Sequence, residues 1–386
     1  MKAIDLSLLK NILTQPTAPF REEHVVTTIC DILQSAGIPY FQDPIGNLII
    51  GVTSRNDYLR LIKLNHSEPV RLFVAHMDHP GFHGVRWLAD NQLKIKWHGG
   101  SPIKHTAGAK VWLATRQGTA GEGTLSSVEI NKKRYGIDSA TVNIKSINKK
   151  HPAKHLYGGF KFRAPVWQSG RRLYTKAADD LVGVYCVVAT ALDIFFRHHP
   201  GKSIPFLGLL TRAEEVGFIG ALGHFDLGWH KQARRPILCV SLEASRTLPG
   251  AAIGKGPVVR LGDKRSIFDD SGLQMLSELA QKILPGKHQR RIMDGGTCEG
   301  TAATAFGIPT IALSIPLGNY HNQGFEGGQD CMNPAGPAPE FVHLDDIQGQ
   351  LQLCQALMKQ NLPWKDPWNT FREKLMKNYA QYKRLL

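Results

Sequence analysis

Apolar residues recur at helical spacing near the start of the chain. Leu6, Leu8, Leu9, Ile12 and Leu13 mark one amphipathic helix, and Val25, Val26, Ile29, Ile32 and Leu33 mark a second within residues 5–36. Gly37 supplies the stop of the second. Apolar runs over 48–52 and 72–75 have the length and branched content of strands. Helix and strand patterns then alternate. A helix is predicted over about 180–197, a strand over 206–210, a helix after Glu215 and a strand over 237–241. A helix near 273–283, a short one near 300–306, a strand over 310–315 and a helix over about 344–358 follow. Such alternation predicts an α/β fold: a mostly parallel sheet flanked by helices.

The stretch 82–165 breaks the pattern. Short β-type runs at 93–97, 111–114, 125–130 and 141–147 are separated by Gly, Asn and Lys, with no helical period between them. This predicts an inserted small all-β domain over 82–165 within an α/β domain made of 1–81 and 166–386. Residues 324–339, rich in Gly and Pro, predict a long surface loop.

Composition adds exclusions. With 42% hydrophobic and 20% charged residues among 386, the chain can bury a core. Its six cysteines (Cys30, Cys186, Cys239, Cys298, Cys331 and Cys354) form no CxxC pair, which argues against a disulfide framework or a zinc knuckle. Sixteen histidines leave imidazole and carboxylate as the means of holding metal. Asp5 ahead of the first apolar stretch and Lys10 inside it do not make a secretory signal. The longest apolar run, 181–192, is shorter than the roughly 20 residues of a membrane span. A cytoplasmic protein without membrane partners is the expectation. The net charge of +15 raises the question of anionic partners. Basic residues cluster only as Lys132-Lys133-Arg134, Lys149-Lys150, Arg171-Arg172, Arg290-Arg291 and a mixed stretch over 364–386. No nucleic-acid signature accompanies them, so dispersed solvated charge is the simpler account.

Five groupings could carry chemistry: His76-Met77-Asp78, Asp179-Asp180, Glu214-Glu215, Glu243 and His321. Each alone has an ordinary reading. Asp179-Asp180 could cap a helix and Glu214-Glu215 could be a solvated first turn. All five, however, fall at or near predicted strand ends, where ligands bind in open α/β sheets. Two divalent ions about 3.5–4 Å apart need a bridging carboxylate, terminal His and carboxylate ligands, and a free carboxylate for proton transfer. The set holds those residue types in that stoichiometry.

At these residues the chain resembles the co-catalytic zinc aminopeptidases, and among them the glutamyl aminopeptidase/cellulase-like metallopeptidases. The matching stretches are Asp43-Pro44-Ile45-Gly46-Asn47, Ala75-His76-Met77-Asp78, Lys176-Ala177-Ala178-Asp179-Asp180, Ala213-Glu214-Glu215-Val216-Gly217, Gly254-Lys255-Gly256-Pro257 and Ser314-Ile315-Pro316 before His321, in the family's order. The resemblance implies a bridging Asp179, one ion completed by Glu215 and His321, and another by His76 and Glu243. Glu214 would be the general base and Asp78 would orient His76. It further implies two divalent ions (zinc, with cobalt or manganese also suited), a peptide substrate cut at its N-terminus, and a homo-oligomer.

Several positions depart from the family pattern. Glu243 stands where Asp is usual, His79-Pro80 offers an extra candidate ligand, and Gly296-Thr297-Cys298-Glu299 replaces a Gly-Thr-Asp-Ala pattern. These departures keep open a deacylase or amidohydrolase acting on small amides at the same centre. A basic binding protein on a peptidase fold is the third reading. Cys298 reads as a small buried hydrophobe. His343, followed by Leu344-Asp345-Asp346, reads as a helix start, which leaves His321 as the ligand candidate.

Overall fold

The computed structural model describes residues 4–133, 135–197, 203–359 and 362–386. Residues 1–3, and Arg134 of one basic cluster, lie outside them. The central sheet has eight strands, ordered Tyr40–Gln42, Leu48–Ile50, Phe206–Thr211, Val70–His76, Ile237–Arg246, Thr310–Leu317, Val258–Asp263 and Gln289–Met293. Phe206–Thr211, Val70–His76, Ile237–Arg246 and Thr310–Leu317 run parallel to one another at its middle. Both flanks carry antiparallel pairs.

Val70–His76 shows why the middle strands read as plain apolar runs. Its side chains alternate between two cores: Val70, Leu72 and Val74 join one, Phe73 and Ala75 the other. Helices Leu6–Thr14, Glu23–Ser35, Leu181–Phe196, Asp270–Ile283 and Leu344–Leu357 cover the Phe73 face. Arg55–Lys63, Ile219–Asp226 and Glu299–Ala305 cover the Val74 face.

The strand-rich stretch is a closed barrel of six strands: Gly81–Ala89, Gln92–His98, Ile137–Ile147, Gly118–Ile130, Lys110–Thr115 and Tyr157–Phe160. Phe82, Leu93, Ile95, Trp97, Val111 and Leu113 belong to a core of its own. A third sheet joins Val166–Ser169, Arg172–Thr175 and Glu340–His343 beside the barrel exit.

Several elements were not expected from the pattern. Arg55–Lys63 is a helix despite its charges, because Ser54 caps it through the Asp57 N–H and Tyr58, Leu61 and Ile62 are buried. Val258–Asp263 is a strand although Arg260 and Gly262 interrupt its apolar pattern. The strand expected to stop at 241 runs on to Arg246, paired in parallel with Thr310–Leu317 as far as Leu317. No element is assigned within 324–339, as the Gly and Pro content predicted.

Candidate metal centre

The carboxyl ends of the four parallel strands converge on one point. His76 ends Val70–His76, Glu243 lies in the extension of Ile237–Arg246, Glu214-Glu215 form a 3-10 turn three residues after Thr211, and His321 follows Thr310–Leu317. Asp179 comes from the turn before Leu181–Phe196, through a cis peptide bond to Asp180. Five segments far apart in sequence thus supply one cluster.

Asp179 stands at its middle. Its Oδ1 lies 3.4 Å from His76 Nε2, which is also 3.5 Å from Glu243 Oε1 and 3.9 Å from Glu214 Oε2. Its Oδ2 lies 3.7 Å from His321 Nε2, which is 3.0 Å from Glu215 Oε2. One carboxylate therefore faces a His76–Glu243 pair with one oxygen and a His321–Glu215 pair with the other. His321 Nε2 and Glu215 Oε2 are close without the alignment of a hydrogen bond. Asp179 Oδ1, Glu215 Oε1 and His321 Nε2 are buried with no hydrogen-bond partner among the described residues. Ligand atoms of His76, Asp179 and Glu215 lie within 4.8 Å of one another, as do those of Asp179, Asp180 and Glu243. Orphaned buried donors and acceptors are costly unless something else completes them. This donor set, imidazoles and carboxylates aimed at common points, fits divalent cations.

Electrostatics agree. Burial pushes the Asp179 carboxyl well above the usual carboxylate range, against the lowering effect of the nearby His76 imidazole. Burial likewise raises Glu214, which its neighbours Glu243 and Glu215 push further. Burial alone would lower His76, but the Glu214 charge and contacts with Asp179, Asp78 and Glu243 raise it well above its ordinary value. So many carboxylates in one buried place call for positive charge.

Around the cluster, other residues hold the main chain. The Asp78 carboxylate accepts the N–H of Glu214 at 2.9 Å and of Glu215 at 3.2 Å, so it aims the acidic turn. The hydrogen-bond partner of His76 Nδ1 is the Asp78 backbone carbonyl, at 3.1 Å, and the carboxylate is 3.6 Å away. Asp78 thus meets His76 through its main chain, with its carboxylate close to the same nitrogen. His79 is not placed as a ligand. Its Nδ1 meets the Asp179 carbonyl at 2.9 Å and its Nε2 meets Asn322 Oδ1 at 3.2 Å. Asp180 does cap the following helix, through the Gly183 N–H, so the capping reading suits Asp180 and not Asp179. His343 caps Leu344–Leu357 through the Asp345 N–H.

Three buried residues escaped the sequence reading. Glu340 accepts the N–H groups of Ala178, Asp179 and His321, and so ties two ligand segments together. Glu22, pushed up to about 7 by burial and then by the Asp78 charge, accepts the Ala213 N–H and binds Arg212. Arg260 stands beside Glu243. Their signal was faint: single charges inside apolar stretches, such as Glu340 before Phe341-Val342 and Arg260 between Val259 and Leu261. Asp179, Glu214, Glu243, Arg260 and Tyr320 line a cavity of about 50 Å³ that opens to solvent. The barrel reaches the cluster too, since a Cβ at Gly100 would overlap His321 Nδ1.

Comparison with known proteins gives the same direction. The TET1 peptidase of Pyrococcus horikoshii superposes with a TM-score of 0.69 at 22% identity, over 92% of this chain and 99% of that one. A TET aminopeptidase from the marine archaeon Thaumarchaeota archaeon SCGC AB-539-E09 scores 0.70 at 18% identity, over 92% and 96%. An aminopeptidase from Desulfurococcus kamchatkensis scores 0.70 at 19% identity, over 93% and 96%. The family model for M42 glutamyl aminopeptidases matches residues 59–326, well over half of the sequence, and the chain belongs to that family.

Proposed function

We propose that this protein is a metal-dependent aminopeptidase. The observation that carries the reading is the two-faced placement of Asp179 between a His76–Glu243 pair and a His321–Glu215 pair. In it, Asp179 would be shared between the two ions, with His76 and Glu243 holding one and Glu215 and His321 the other. Two divalent ions held there, zinc or else cobalt or manganese, would acidify a water and polarise the scissile carbonyl. Glu214, on the cavity wall and held through its N–H by Asp78, takes the water proton and returns it to the leaving amine. Membership of the M42 family and the likeness to TET peptidases support a peptide substrate.

The domain division of the sequence reading, 82–165 inserted between 1–81 and 166–386, is part of the proposal and is supported by the barrel's separate core. Self-association is proposed as well, since assembly into a tetrahedron or a large octahedral shell is described for the Pyrococcus horikoshii TET1 peptidase. No helix among the described residues is long and apolar enough to cross a membrane.

The deciding experiment measures metal content beside a panel of aminoacyl amides, short peptides and N-acyl amino acids, with and without chelator. Chelator-sensitive release of N-terminal residues is expected. Activity on blocked amines alone would replace the aminopeptidase reading with the deacylase one.

A further inference from the structure

Among the described residues, the helix Asn369–Tyr382 has nothing packed over it. Leu362 and Trp364 still pack against the core, and Trp364 lies under the Arg71 guanidinium at 5.3 Å. From Trp368 to Leu386, by contrast, every residue is exposed. The helix Asn369–Tyr382 has no buried residue, whereas Leu344–Leu357, of the same length, buries eleven of its fourteen. Its side-chain bonds are local: Arg372 pairs with Asp366, and Asn369 donates to Glu373.

The helix is nevertheless amphipathic. Trp368, Phe371, Leu375, Tyr379 and Tyr382 recur at steps of three and four, which places them in one row. Phe371 is 42%, Leu375 50%, Tyr379 53% and Tyr382 56% exposed. Lys377 falls on the opposite side, and Arg372 and Lys374 flank the row. A helix of this length is marginal in water by itself, so covering the apolar row stabilises it.

Charge selects what covers it. Residues 364–386 hold six basic side chains (Lys365, Arg372, Lys374, Lys377, Lys383 and Arg384) against two acids, Asp366 and Glu373. Asp366 is already paired with Arg372. A second copy would bring the same positive excess, on a chain whose net charge is already +15. A nucleic acid would answer the lysines but leave the apolar row in water. An anionic bilayer answers both, with headgroups for Lys and Arg and an acyl boundary for Phe371 and Leu375. Trp368, Tyr379 and Tyr382 suit that depth, being rings with one polar end.

We propose that Asn369–Tyr382 docks this protein on anionic lipid surfaces. The helix lies in the plane of the interface with Phe371, Leu375, Tyr379 and Tyr382 turned into the lipid. Arg372 and Lys374 reach back to the headgroups. With 14 residues the helix is too short to span a bilayer, so the association is peripheral. A membrane partner of this kind was not expected from the apolar runs of the sequence, and it stands apart from the aminopeptidase reading.

Co-sedimentation of the full chain with vesicles tests this, using phosphatidylcholine alone and phosphatidylcholine mixed with phosphatidylglycerol. Binding to the mixed vesicles is expected to be at least about tenfold tighter than to the neutral ones and to weaken as salt rises. The double variant Leu375→Gln, Tyr379→Gln lowers that binding by about tenfold or more, and so does Lys374→Gln, Lys377→Gln. All four positions are exposed, so the unfolding midpoint stays at the parent value. No binding to either vesicle, equal binding to both, or undiminished binding by the Leu375→Gln, Tyr379→Gln protein overturns the proposal. So does a smaller sedimentation coefficient of that variant without vesicles, because the apolar row would then be an interface between copies.

Discussion

The sheet and the barrel solve opposite problems. At the carboxyl ends of the parallel strands, Asp78, Asp179, Asp180 and Glu299 are buried together with His76. The barrel instead packs an apolar core of its own, with Phe82, Leu93, Ile95, Trp97, Val111 and Leu113. Burying like charges opposes folding, while burying apolar surface favours it at roughly 25 cal/mol per Å². The sheet carries its acids because two extensive apolar cores flank them and because main-chain N–H groups meet Asp78 and Glu340. Strain tolerated for chemistry in one region thus rests on plain packing elsewhere.

The comparison can be broken in graded ways. The largest effect is expected from Asp179→Asn, which keeps the shape but removes the charge a bridging ligand offers. Metal content measured after dialysis should fall to a trace and peptidase activity with it, by about 10³-fold or more. Glu214→Gln should lower kcat by about 10²–10⁴-fold while metal content stays at the parent level. Full activity in a metal-replete Glu214→Gln protein would remove its assigned role.

In the barrel, Leu113→Ala should destabilise the protein by about 2–5 kcal/mol in denaturant unfolding. Metal content of the folded fraction should not change, because Leu113 lies in the barrel's own core. Gly100→Ala tests a place where the strand-rich stretch touches the centre. The new methyl has to displace the His321 ring, so metal affinity should drop by about tenfold while the unfolding midpoint moves little. The smallest effect concerns Glu299, whose carboxyl burial pushes up to about 8 despite the nearby His76 charge. A raised folded pKa means its stabilising share is present below the ordinary value of 4.5 and is lost as pH rises through about 8. In chelator-treated protein, Glu299→Gln should therefore match the parent near pH 4.5 and gain about 2–4 °C in Tm by pH 8.

Much of the molecule was legible along the chain. Central strands such as Val70–His76 are covered on both faces, so nearly every position is apolar and the run is visible. Most ligand candidates were visible because His76, Glu215, Glu243 and His321 come at or after such runs, whereas Asp179 precedes a helix. Less legible were Val258–Asp263 and Gln289–Met293, which lie toward the sheet's edge and carry arginines. The second task of Asp78, holding the acidic turn, was not legible. Its spacing from His76 suggests a side-chain contact, but the turn sends its carboxylate to Glu214 and Glu215, which arrive from the neighbouring strand.

The residue pattern by itself determined the alternation of helices and strands, the strand-rich interruption and the kinds of side chain at the strand ends. Those features depend on local spacing and burial, which the order of residues carries. Only the tertiary structure decided which acid faces which imidazole, that Glu340 joins the Asp179 and His321 segments, and that Arg260 stands beside Glu243. Such contacts depend on the order of strands in the sheet and on the rows that side chains share across it. Residues from separate strands and turns meet there, and no local pattern records the meeting.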